Sequence, residues 1–118
     1  MKHNRYEVEK LREETVGTWI AWIYVAGDMD TIRNTCRDAT FPSGMCVSIK
    51  RMESIYAGGL EMGAEVTLFQ YPPFKESETE LEQKMNDLAV RLLEANFQFS
   101  CTVVMPDKTI FLSRRKKI

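Results

Sequence analysis

MCVSIKRMESIYAGGLEMGAEVTLFQYPPF, residues 45–74, holds two β-rich runs on either side of a glycine pair. Val47, Ile49 and Ile55 fall on one face of the first run, and Cys46, Ser48, Lys50, Met52 and Tyr56 on the other. In the second run Ala64, Val66, Leu68 and Gln70 alternate with Glu65, Thr67, Phe69 and Tyr71. Period-two alternation of β-branched and aromatic residues, bounded by glycine and by Pro72-Pro73, predicts a long hairpin turning at Gly58 and Gly59.

Working outward, Thr18-Trp-Ile-Ala-Trp-Ile-Tyr-Val25 is the strongest strand signal. Trp19, Ala21, Ile23 and Val25 share one face and Ile20, Trp22 and Tyr24 the other, so both faces are apolar. That predicts a central strand covered on both sides, by a helix and by another subunit. Residues 5–14 fit either strand or helix, and we read them as a charged edge strand of an N-terminal hairpin. Asp28 suits a helix N-cap, and a short helix is expected over 29–39, with Ile32, Cys36 and Ala39 inward, stopped by Phe41-Pro42-Ser43-Gly44. Leu81, Met85, Leu88, Leu92 and Leu93 repeat at helical spacing as far as Ala95 behind an acidic entry. A closing hairpin spans 97–105 and 109–113 around Pro106-Asp107-Lys108, and 114–117 trail off in positive charge.

The order (β)β-α-β-β-α-β-β predicts an α+β two-layer sandwich, ferredoxin-like in its core, with two helices on one face of an antiparallel sheet. The 118 residues suit a single domain. A 44% apolar fraction, 28% charged residues and a formal charge of -1 are ordinary for a soluble protein and recruit neither nucleic acid nor membrane. No apolar run approaches the roughly 18 residues of a membrane span, and the start has no signal-peptide core, so a cytosolic location is expected. Three scattered cysteines fit a reducing compartment and read as small buried hydrophobes. With one histidine, at position 3, neither a metal site, nor a cofactor, nor a cysteine nucleophile is predicted.

The hairpin and its approach resemble the CutA family of small trimeric proteins, relatives in shape of the PII signalling proteins. The likeness runs over 19–68: a strand, a short helix, Cys46-Val47-Ser48-Ile49, then Ser54-Ile55-Tyr56 before the turn and Glu65-Val66 after it. The family's tryptophan-containing turn is replaced here by Ala57-Gly58-Gly59. The resemblance implies a subunit that trimerises through its hairpins, and by way of the PII group a nucleotide-like ligand between subunits. A second likeness, to small phage proteins, lies in Tyr56-x-Gly58-Gly59-x-Glu61-x-Gly63 followed by Tyr71-Pro72-x-Phe74. Some such proteins act as sponges for nucleotide-derived signals.

Candidate ligand residues are few. Tyr56, Gly58, Gly59, Glu61 and Gly63 could form an anion-binding nest, or simply a turn with a bulge at Gly63. Arg33 and Arg37, one helical turn apart, could present two forks to an anion, with Arg91 similar on the second helix, or all three could be solvated surface. Tyr71 could stack a base or close the hairpin on the core. The resulting expectation is a non-enzymatic oligomer, a trimer by preference, that binds or sequesters a small anionic, nucleotide-like signalling ligand in an inter-subunit cleft. A protein–protein module or inhibitor acting through the hairpin is the first alternative. A nucleic-acid-binding regulator using the basic tail is the second.

Overall fold

The computed structural model describes residues 11–115. Its elements are β1 (Ile20–Ala26), α1 (Met29–Ser43), β2 (Val47–Tyr56), β3 (Gly59–Phe69), a short 3-10 turn (Pro72–Phe74), α2 (Glu78–Ala95), β4 (Ser100–Val104) and β5 (Thr109–Ser113). The sheet runs β2-β3-β1-β4-β5 with every neighbouring pair antiparallel. Strands β2-β3-β1-β4 with the two helices make the expected ferredoxin-like core, and β5 extends it.

Each helix is sited by its cap. Asp28 accepts from the Thr31 backbone N–H at 3.0 Å and opens α1. Ser77 and Glu80 exchange bonds in a capping box that opens α2. α1 lies over β2 and β3, α2 over β1 and β4, and the helices touch each other. Ala21, Ile23 and Val25 of β1, Val66 and Leu68 of β3 and Leu81, Met85, Leu88 and Leu92 of α2 are buried together. Each fully buried aliphatic side chain stabilises the layer contact by about 1.5–3 kcal/mol.

Several expected boundaries move. α1 continues to Ser43 with Pro42 inside its last turn, and Gly44, at φ 69°, ends it. Pro42 has no N–H to give the Asp38 carbonyl, and the helix runs only one residue beyond it. The first strand begins at Ile20, and the strand expected over 97–105 is limited to Ser100–Val104. Phe97 is the reason: it takes φ 55°, and the Gln98 N–H bonds back to the Leu93 carbonyl, a left-handed helix stop that usually employs glycine. The proposed edge strand over 5–14 lies partly outside the described residues, and 11–14, within them, carry no regular structure.

The hairpin turns one residue earlier than expected. Ala57 (φ 49°) and Gly58 (φ 77°) are its two central residues, and Gly59 is already in β3. Two positive φ angles give the turn the twist that antiparallel strands need. No bulge occurs at Gly63, because the register runs unbroken from Tyr56↔Gly59 to Val47↔Leu68. Gly63 is needed for another reason: a Cβ there would lie 2.2 Å from the Val25 carbonyl oxygen. Cys36 and Cys101 are buried as expected, and burial lifts both thiols to about 11. Cys46 departs from that expectation and is exposed, in the irregular link between α1 and β2.

Candidate functional site

β1 pairs with β3 only from Ile20↔Phe69 to Ala26↔Gly63. Above that point one rung remains, from the Gly27 N–H to the Met62 carbonyl at 3.0 Å. The hairpin therefore overhangs the sheet as a two-stranded ribbon, and Ile55, Leu60 and Met62 on its helix-side face are each more than half exposed. The opposite, uncovered face of the sheet is also apolar. Trp22 and Ile20 are half-buried there, flanked by exposed Phe69 and Phe111. No helix of the described residues packs on it.

Two tyrosine–carboxylate pairs stand on this uncovered face. Tyr56 Oη donates to Glu61 Oε1 at 2.7 Å near the hairpin tip. Further down, Tyr24 sits opposite Glu65 across the β1-β3 ladder, and Lys50 flanks Glu65 from β2. Burial, then the charge and hydrogen bond of Glu65, push the Tyr24 hydroxyl above the ordinary tyrosine range. The Tyr56 hydroxyl is raised chiefly by its bond to Glu61. Both tyrosines are thus neutral donors to carboxylates at physiological pH.

The expected site residues occupy separate places in one subunit. Tyr56, Gly58, Gly59, Glu61 and Gly63 do share the hairpin end. Arg33 and Arg37 line a cavity of about 270 Å³ between α1 and β2, on the helix side, floored by Cys36, Val47 and Ile49. Arg33 is already paired with Asp30 at 2.7 Å. Arg91 lines another hollow, between the helices, with Asp87 and Leu88. Tyr71 joins Phe69 and Phe74 in a partly exposed aromatic stack, with ring centroids 5.9 and 5.5 Å apart, and does not close the hairpin on the core.

Tyr24 and Glu65 were not among the candidate ligand residues read from the sequence. Their signal was their parity: both fall on the outward face of strands whose other face is core. A third feature the sequence hides is a corner cavity of about 380 Å³ where the overhanging ribbon meets the start of α1. Asp28 and Asp30 stand on one side of it and Arg51 on the other, with Gly27 and Gly63 between. Among the described residues there is no cluster of histidine, cysteine, aspartate or glutamate able to hold a metal ion. No helix of the described residues is long and apolar enough to cross a membrane.

No protein-family model matches the sequence, and no curated protein matches it. Solved structures do share its fold. One is a phage SAM lyase in the apo state, 17% identical, with 92% of this chain and 100% of that chain covered at a TM-score of 0.66. Another is a phage SAM lyase in complex with S-methyl-5'-thioadenosine, 15% identical, covering 92% and 98% of the two chains at a TM-score of 0.61. These neighbours overturn the expectation of a non-enzymatic protein, because the fold of this chain is one that carries catalysis in both.

Proposed function

We propose that this protein is a lyase that cleaves an S-adenosyl sulfonium of the S-adenosylmethionine type. The observation that carries the reading is the likeness over 92% of the chain to solved SAM lyases, one of them holding S-methyl-5'-thioadenosine. The two tyrosine–carboxylate pairs on the exposed sheet face support it.

The chemistry follows from what the two molecules share. S-methyl-5'-thioadenosine keeps the methyl and adenosyl groups of the sulfonium, so the bond that breaks is the one from sulfur to the amino-acid chain. In the simplest balanced step the chain's own carboxylate oxygen bonds to that carbon as the carbon–sulfur bond breaks. The electron pair goes to sulfur, and a lactone leaves beside the neutral thioether. No proton moves and no water is added. A cation and an anion vanish together, so the transition state carries less charge than the bound substrate. An apolar, water-poor wall and a folded substrate conformation favour such a step.

The uncovered face has the parts for this. Glu61 and Glu65 attract the sulfonium, while the rings of Tyr24, Tyr56 and Trp22 offer π faces to a cation and to the adenine. Because the carboxylates favour substrate over transition state, their part is capture, and acceleration comes from enclosure. One subunit leaves the face open. A second copy packed on Trp22, Phe69 and the overhanging ribbon closes the cleft between subunits, and the CutA and PII resemblance makes a trimer the first form to test.

Incubation of the purified protein with S-adenosylmethionine, followed by chromatography with mass detection, tests the reading. S-methyl-5'-thioadenosine in many-fold excess over protein is expected. Intact substrate held one per site with no product overturns the lyase assignment.

A further inference from the structure

We infer that the corner cavity between the start of α1 and the overhanging hairpin seats the zwitterionic amino-acid end of the sulfonium substrate, with Arg51 holding its carboxylate and Asp28 and Asp30 its ammonium. The inference rests on the lyase reading and assigns a subsite within it.

The cavity presents both signs of charge without letting them cancel. Arg51 is exposed, and among the described residues it makes neither an ion pair nor a side-chain hydrogen bond. No nitrogen of Arg51 comes within 4.0 Å of either aspartate, although all three line one space. Each aspartate has spent one oxygen and kept the other. Asp28 Oδ2 accepts from the Thr31 N–H and hydroxyl, and Asp30 Oδ1 accepts from Arg33. That leaves Asp28 Oδ1 and Asp30 Oδ2 open to a donor. A simple anion entering here meets two carboxylates, and a simple cation meets a guanidinium. A group bearing both charges on neighbouring atoms satisfies both walls, and the fork of an arginine matches a carboxylate.

Position adds to this. Gly63 lines the cavity and is flanked in β3 by Glu61 and Glu65, whose side chains point to the other face. β1 no longer pairs with β3 above Gly63. The free edge of β3 is therefore the border between the charged corner and the tyrosine–carboxylate face. A substrate laid across that edge puts its amino-acid end in the corner and its sulfonium and adenosyl group beside Glu61 and Tyr56.

The two ligands of the reaction separate the subsite from the rest of the site, because S-methyl-5'-thioadenosine lacks the amino-acid end. Calorimetric titration of Arg51→Met and Asp30→Asn with both molecules is the test, with thermal melting as a folding control. S-adenosylmethionine binding is expected to weaken about tenfold or more in each variant, with S-methyl-5'-thioadenosine binding unchanged. Decarboxylated S-adenosylmethionine is expected to bind Arg51→Met and the unaltered protein alike. Equal losses for both ligands, or no loss for either, overturn the subsite while leaving the lyase reading intact. If the unaltered protein binds neither molecule, the lyase reading falls and the subsite with it.

Discussion

Tyr56 Oη donates to Glu61 Oε1 at 2.7 Å, joining the two arms of the hairpin on the face that no helix covers. Loss of the tyrosine proton would break this bond and then set two negative charges side by side, which is why the hydroxyl's folded-state pKa stands above its ordinary value. A raised folded-state value means that the contact contributes fully below the unfolded-state pKa, about 10. Its contribution is lost as pH rises through the folded value. Tyrosinate absorbance is expected to show a late-titrating group that disappears in Tyr56→Phe. In Glu61→Gln the same group is expected to titrate earlier, and binding of S-adenosylmethionine to weaken about tenfold, equivalent to ~1.4 kcal/mol. Unchanged titration in both variants would show that the pair does not exist in solution.

Gly63→Ala places a methyl group against the backbone of β1, 2.2 Å from the Val25 carbonyl oxygen. Backbone cannot rotate away as a side chain can, so the strands must part. Denaturant unfolding is expected to register a loss of about 1–3 kcal/mol or more. Gly17→Ala is the matched control, since nothing lies within 4 Å of a Cβ there. Similar stability for the two alanine variants would refute the close approach of β3 to β1.

Ser77→Ala removes half of the capping box of α2 and is expected to cost about 1 kcal/mol at neutral pH. The other half is Glu80, whose carboxyl is held below its usual range, first by its bond from the Ser77 backbone N–H. A lowered folded-state pKa gives stability that is present above the unfolded-state value and lost as pH falls through the folded one. The penalty of Glu80→Ala measured by denaturation is therefore expected at neutral pH and to fade in the acid range below about 4. A penalty independent of pH would mean that the carboxylate form plays no part.

Trp22→Glu puts a charge at the middle of the uncovered sheet face while leaving the helix-side core untouched. Light scattering after gel filtration is expected to find a closed oligomer for the unaltered protein and the 13.7 kDa chain for the variant. The same oligomer in both would exclude this face as the subunit contact.

The fold was legible where one physical signal dominated. Alternation in β1, the 3.6-residue repeat of Leu81 to Leu92 and the capping residue Asp28 each point to one local structure, and together they leave few topologies. Boundaries were lost where the chain uses an unexpected residue for a special backbone shape. Ala57 and Phe97 take left-handed conformations that sequence reasoning reserves for glycine. The site was less legible for a different reason. Tyr24 and Glu65 are distant in sequence and meet only through the β1-β3 register, and the corner of Asp28, Asp30 and Arg51 forms only because β3 outruns β1. Arg33 and Arg37, which a local pattern did single out, face a different cavity.

Between Met52 and Met62 the overhanging ribbon has no third strand beneath it. A lone pair of strands is marginal in water, and its apolar residues Ile55, Leu60 and Met62 face solvent when the subunit is alone. Packing against a second copy would add to the order that the strand register and the Tyr56–Glu61 bond give it, and dilution would then become a control variable. If subunits assemble through this ribbon, activity per molecule is expected to fall as the protein is diluted below its assembly constant and to return on reconcentration, without any change in the folded core. Hydrogen exchange at the ribbon amides is expected to follow the same curve, fast when dilute and slow when assembled, and exchange independent of concentration would show that the ribbon is not a subunit contact.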